Sequence, residues 1–169
     1  MNSRKRYKKS ELINFTYNIL KKVGLNNSNS KIISDLIIRA DERGVWSHGI
    51  VRLPVYVNRI EKKAAKKNPN FKFKKISNNI FHLSGDNGLG YLAANAGIKK
   101  CVSLAKEKGI GLVAISKSNH FGMAANYLEF ASKNKCIAWV YTNASKALPP
   151  HGATVSYTHL RAHETSYDR

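Results

Sequence analysis

The sequence predicts an α/β protein in which a helical subdomain over residues 1–66 precedes a layered, mixed-sheet α/β domain over residues 67–153. Apolar residues recur at helical spacing up to Ile60, on one face after another. From Phe71 onward the pattern changes to short apolar runs of strand length that alternate with helical stretches. A polar, lysine-rich stretch from Lys62 to Asn70 separates the two regimes. A chain of 169 residues is long enough to bury a real core.

The first helix is expected to start at a Ser10 cap, to carry Leu12, Phe15, Ile19 and Val23 on one face, and to end at Gly24. A polar linker from Asn26 to Ser30 leads to a second helix built on Ile32, Ile33, Leu36, Ile37 and Ala40, ending near Arg43-Gly44. The turn Ser47-His48-Gly49 opens a third helix with Leu53, Tyr56, Val57 and Ile60. Pro54 suits its first turn, where no backbone donor is needed. Phe71 and Phe73, then Ile80, Phe81 and Leu83, predict two strands joined at Ser77-Asn78-Asn79. A long helix follows from Gly90 to Lys108, with Ala94, Ile98, Cys101, Val102 and Ala105 inward. Leu112 to Ile115 reads as a strand, Ala124 to Lys133 as a helix, and Ile137 to Tyr141 as a further strand.

The formal charge of +19 raises the possibility of a basic nucleic-acid-binding module. Such a module gathers its charge on one face. Here lysine outnumbers arginine 21 to 8, and its pairs (Lys21-Lys22, Lys62-Lys63, Lys99-Lys100) are spread over several elements without interleaved aromatics. The charge therefore reads as a solvated surface, with no nucleic-acid partner. Cys101 and Cys136 sit in apolar stretches and suggest neither a disulfide framework nor a metal site. Neither a signal-length apolar run nor a bilayer-spanning one is found, so no membrane partner and a cytoplasmic location are expected.

Two strings carry the chemistry: Ser47-His48-Gly49-Ile50-Val51-Arg52 and Ser118-Asn119-His120-Phe121-Gly122. Imidazole titrates closest to neutral pH and is the usual proton carrier, which makes His48 and His120 the candidate catalytic residues. Arg52, one helical turn after His48, offers a two-pronged donor for a carboxylate. Ser47 can bind substrate or fix the imidazole tautomer, and Tyr56 falls on the same face. These residues describe a site for a small anionic substrate that gains or loses a proton.

A competing pattern is Gly88-Leu89-Gly90-Tyr91-Leu92-Ala93, a G-x-G-x-x-A run between a predicted strand and a predicted helix. It would make the chain an NADP-binding Rossmann-type fragment working through Gly88 and Gly90. The fingerprint also asks for an acidic residue at the end of the next strand, and Ile115-Ser116-Lys117-Ser118 has none. A lysine there would suit a 2′-phosphate.

Asp41-Glu42-Arg43-Gly44-Val45-Trp46-Ser47-His48-Gly49, running into Arg52-Leu53-Pro54 and Tyr56, resembles the signature of the malate/L-lactate dehydrogenase family. Gly85-Asp86-Asn87-Gly88-Leu89-Gly90, Gly109 to Val113, Ser118 to Gly122 and Thr142-Asn143-Ala144-Ser145 recur there in the same order. The likeness covers residues 10 to 153, with Trp46 standing where an aspartate is usual. It implies hydride transfer between NAD or NADP and a 2-hydroxy or 2-oxo acid, in a non-Rossmann fold whose glycines let a helix start tightly. It also implies that His48 or His120 moves the proton and that Ser47, Arg52 and Tyr56 meet the substrate. His120, Thr142, Asn143 and Ser145 would lie around the cofactor, no metal is called for, and the full-length form would be a homodimer.

The family's members are about twice as long, so the chain is expected to be an N-terminal half, with a sheet incomplete at its C-terminal end and no activity of its own. Residues 154–169 are expected to be a foreign tail, since no lysine follows Lys146 and the apolar periodicity stops.

Overall fold

The structure, a computed structural model, describes residues 6–143. Its elements are α1 (Lys9–Lys22), α2 (Asn27–Glu42), two 3-10 turns (Trp46–His48 and Ile50–Arg52), α3 (Leu53–Glu61), β1 (Lys72–Lys75), β2 (Ile80–Gly88), α4 (Gly90–Lys108), β3 (Leu112–Ser118) and α5 (Ala125–Lys133). The expected succession of helices and then mixed α/β layers is what forms. Ser145 and the stretch 154–169 lie outside the described residues.

The linker expected at Asn26 to Ser30 is instead the first turn of α2. Asn26 Oδ1 accepts the Asn29 backbone N–H at 2.8 Å, so the asparagine caps a helix that begins at once. In α1 the buried stripe runs through Thr16 and Leu20, while Phe15 is left exposed, so the buried face is turned by one residue from the expected one. In α3, Pro54 occupies the first turn as expected.

The sheet is mixed, with order β1-β2-β3. β1 pairs antiparallel to β2 (Lys72 with Ser84, Lys75 with Phe81), and β2 pairs parallel to β3 (Ile80 with Leu112, Leu83 with Ile115). The β2–α4–β3 crossover lays α4 against the sheet. On its other side α4 packs on α2 and α5, which places Tyr91, Leu92, Ile98 and Val102 in the core beside Ile37 and Leu83. The buried Asn126 amide donates to the Leu36 carbonyl at 2.9 Å and ties α5 to α2. β2 and β3 run on to Gly88 and Ser118, beyond the apolar residues that announced them. That extension brings the glycine turn and the second histidine string together at one end of the sheet.

The chain divides after Ile137 into two compact units. Residues 137–141, expected as a strand, form none: Ile137 is 84% exposed, and no described residue pairs with the segment. An apolar sequence becomes a strand only when a neighbour takes its backbone hydrogen bonds. In the first unit β3 is an edge strand with Leu112 and Ile115 exposed. Among the described residues no helix is long and apolar enough to cross a membrane.

Candidate active site

The first histidine string is held by the end of α2. Beyond Glu42 the chain turns at Gly44, which has φ +75°, a conformation that favours glycine, and the Val45 N–H donates to the Ala40 carbonyl at 2.8 Å. Asp41 then reaches back over the turn. Its Oδ2 accepts the Ile50 N–H at 2.7 Å, and a side chain at Gly49 would collide with Oδ1 at 1.9 Å. The Asp41 carboxyl is pushed above its usual range by burial, against the opposing pull of the Ile50 N–H. Gly49 is thus required for the close approach of a carboxylate, and the two 3-10 turns aim Ser47, His48 and Arg52. Arg52 Nε donates to the Ser47 carbonyl at 2.7 Å, leaving its terminal nitrogens without a partner among the described residues. Ser47 Oγ lies 2.9 Å from His48 Nδ1.

The second string is fixed by backbone contacts to the glycine turn. Asn119 N–H donates to the Gly88 carbonyl at 3.2 Å, and Gly90 N–H donates to the His120 carbonyl at 3.1 Å. The Asn119 amide donates to the carbonyls of Asn87 and Gly88 and accepts from Arg59 Nη1 at 2.8 Å. His120 is exposed as a residue, but its Nδ1 points inward, 2.9 Å from Tyr56 Oη and 3.4 Å from the Gly122 N–H that donates to it.

The two histidine strings meet. The His48 and His120 rings stack with centroids 5.5 Å apart and planes 29° from parallel. Tyr56, the third member of the cluster, is 1% exposed and stacks on His120 at 6.0 Å. Its hydroxyl is committed to His120 and to Tyr91 Oη at 3.0 Å. Of the residues picked from sequence, His48, His120, Ser47, Arg52 and Tyr56 are therefore brought together. Thr142 and Asn143 are exposed residues of the second unit, with Thr142 Oγ1 donating to the Asn143 carbonyl at 3.3 Å. Sequence reasoning gave no role to Asp41, Arg59, Tyr91 or Asn119. Asn119 stands inside the second string and Asp41 opens the longer run Asp41 to Gly49, which is the available signal. Tyr91 reads as a plain core residue of α4.

Partial burial lowers the pKa of both histidines below the ordinary imidazole value, with Arg52 adding to it at His48 and His48, Arg52 and Arg59 adding to it at His120. A folded-state pKa below the unfolded one means that the unfolded chain binds more protons in that window. The neutral histidines therefore favour the fold above about pH 6.5, and that contribution is lost as pH falls through their lower folded values. Thermal unfolding midpoints should drop between pH 7 and pH 5, and the drop should shrink in a His120→Gln variant. A midpoint equally pH-sensitive in both proteins would contradict this.

The glycine turn does not fit a dinucleotide pyrophosphate. A Cβ at Gly90 would lie 2.1 Å from the Asn119 carbonyl oxygen, and one at Gly88 would lie 2.5 Å from the Pro69 ring. The Gly90 N–H, which a phosphate would need, is taken by His120. The space that the fingerprint keeps for a ligand is filled by the protein itself. Around His120 the donors are of another kind, the imidazole itself and the exposed Ser118 hydroxyl, a chemistry that suits a nicotinamide carboxamide and ribose.

Comparison with known proteins bears on this geometry. The family profile described as malate/L-lactate dehydrogenase matches residues 7–158. A malate/(S)-sulfolactate dehydrogenase of Methanothermus fervidus is 36% identical over 137 residues, which cover 81% of this chain and 40% of that protein. The structure of malate dehydrogenase from Pyrococcus horikoshii OT3 superimposes with a TM-score of 0.75 at 33% identity, covering 76% of this chain and 37% of that one. Sulfolactate dehydrogenase from Methanocaldococcus jannaschii does so with a TM-score of 0.72 at 32% identity, over 75% and 37% of the two chains. The chain spans about 40% of the length of the curated relatives it matches.

Proposed function

Since the chain belongs to the malate/L-lactate dehydrogenase family, we propose that these residues serve a dehydrogenase that moves a hydride between NAD or NADP and a small 2-hydroxy or 2-oxo acid. The observation that carries this reading is the stacking of His48 on His120, 5.5 Å apart, beside Arg52. Two imidazoles from distant strings face one place, next to a guanidinium whose terminal nitrogens have no partner among the described residues.

The roles follow from the chemistry of each group. Arg52, braced through Nε by the Ser47 carbonyl, clamps the substrate carboxylate. His48 takes the carbinol proton on oxidation and returns it on reduction, with Ser47 holding its Nδ1. Tyr56, 1% exposed, lies behind the substrate groups and supports His120. When bound, the nicotinamide supplies the hydride acceptor or donor. His120, Thr142, Asn143 and Ser145 are the residues proposed to hold it. The helical residues 1–66 bring the substrate groups, and residues 67–153 bring the cofactor side. The same reading takes the working protein as a cytoplasmic homodimer acting on small carboxylates.

The matched relatives are longer, so the test compares this chain with a chimera carrying residues 7–143 on the remainder of a relative. Oxidation of a panel of 2-hydroxy acids is followed through the absorbance of reduced NAD and NADP. The chimera should turn over at least one of them and the chain alone none. A chimera that folds, binds neither nicotinamide and turns over nothing would overturn the reading. In the active chimera, Arg52→Lys should mainly raise KM, because an ammonium cannot make the two-pronged contact. Unchanged kinetic constants would make Arg52 a surface cation.

A further inference from the structure

The two histidines face the same place but are wired differently. His48 Nδ1 meets a serine hydroxyl that is exposed. That hydroxyl rotates freely, donating to Nδ1 or accepting from it, with water taking the other role. His48 can therefore carry its proton on either nitrogen, as a group that both accepts and releases protons at Nε2 must.

His120 has no such freedom. Its Nδ1 meets Tyr56 Oη at 2.9 Å, and that hydroxyl meets Tyr91 Oη at 3.0 Å. Tyr56 is 1% exposed and Tyr91 is fully buried, so water cannot rebalance the chain. Among the described residues Tyr91 Oη has Tyr56 as its one hydrogen-bond partner. Two arrangements exist. In one, Tyr91 donates to Tyr56 and Tyr56 donates to His120 Nδ1, and every hydroxyl proton has an acceptor. In the other, His120 Nδ1–H donates to Tyr56, and either Tyr56 donates to Tyr91, leaving the Tyr91 proton buried without an acceptor, or Tyr91 donates to Tyr56, leaving the Tyr56 proton so. An unmet buried donor costs about 1–3 kcal/mol, so the first arrangement wins. The Gly122 N–H, which can only donate, also points at Nδ1 at 3.4 Å and would oppose a proton there. Burial first, and then the Arg52 and Arg59 guanidiniums, disfavour an imidazolium at His120, so the choice lies between the two neutral tautomers.

We infer that Tyr56 locks His120 as a neutral imidazole protonated on Nε2, a hydrogen-bond donor toward the site, and so leaves proton transfer to His48. This rests on the dehydrogenase reading for its consequence, but the tautomer is a property of the chain itself. An Nε2–H imidazole can hold the substrate oxygen or a carboxamide oxygen, yet has no lone pair at Nε2 to take a proton. Tyr56 is then a positioning residue, and Tyr91 accompanies it without deciding the outcome: with Phe at position 91, Tyr56 still has Nδ1 as its one acceptor.

The test is nitrogen-detected NMR of 15N-histidine in the full chain and in the chimera, above the pH at which His120 titrates. The wild-type spectrum should show His120 with Nδ1 bare and Nε2 protonated, and His48 with a mixture of both forms. Tyr56→Phe, which keeps the ring, should shift His120 toward a mixture. Tyr91→Phe should leave it in the Nε2–H form. A wild-type His120 protonated on Nδ1, or a Tyr56→Phe variant with an unmoved His120, would overturn the lock. The wild-type spectrum decides even if a variant fails to fold. Activity is read separately: an inactive chimera with a locked His120 counts against the dehydrogenase, whereas an active one with a Nδ1–H His120 counts against the lock.

Discussion

His48→Ala is expected to lower kcat of the active chimera by about 10²-fold or more, the usual worth of positioned general acid–base catalysis. The geometry gives reasons for so large an effect. His48 is presented by a turn that has little room to relax, because Asp41 holds Ile50 at 2.7 Å and leaves no space for a side chain at Gly49. Its depressed pKa keeps it neutral near pH 7, ready to accept a proton when a hydroxy acid is oxidised. The acid limb of the oxidation rate should accordingly lie below pH 6.5, and it should disappear in the alanine variant. His120→Ala should instead raise KM for substrate or cofactor more than it lowers kcat, since a locked donor binds without exchanging a proton. Near-wild-type kcat in His48→Ala, with a collapsed kcat in His120→Ala, would exchange the two roles.

How legible this site was from sequence depends on whether the signal was local. Ile33, Leu36 and Ile37 are buried where their helical spacing put them, because a face is set by its own periodicity. The spacing of His48, Arg52 and Tyr56 correctly placed them near one another, yet it could not show that Tyr56 turns its hydroxyl into the core while Arg52 stays exposed. That distinction comes from Tyr91, which is far away in sequence and looks like any core aromatic. Residues 137–141 failed for the converse reason: their strand character depends on a neighbour, which no local pattern supplies. Phe15 and Thr16 exchange places because the buried face of a short helix is set by its partner, here α2. The meeting of His48 and His120 is a product of topology. The β2–α4–β3 crossover returns the chain to the glycine turn, and only then does the second string reach the first.

Gly90→Ala is expected to destabilise the fold by about 1–3 kcal/mol, in the range of overpacking a closed site, and to displace His120 as it does so. The added methyl would sit 2.1 Å from the Asn119 carbonyl oxygen and 2.8 Å from the His120 carbonyl carbon and oxygen. These are backbone atoms, which cannot swing aside as a long side chain would. Asn119 is also pinned, by Asn87, Gly88 and Arg59, so any retreat breaks several hydrogen bonds at once. The strain should therefore be relieved by moving the whole Ser118 to Gly122 string, and with it the imidazole that stacks on His48. Denaturant midpoints would report the first effect, and loss of the His120 tautomer signal the second. A dinucleotide fingerprint makes a different prediction for the same substitution. If Gly90 were kept small so that a phosphate could approach, the variant would lose NADP binding while its unfolding midpoint and His120 signal stayed at wild-type values. An unaltered midpoint together with selective loss of NADP binding would return the chain to the Rossmann reading. A lowered midpoint with a displaced His120 would establish that this glycine serves the meeting of the two histidine strings.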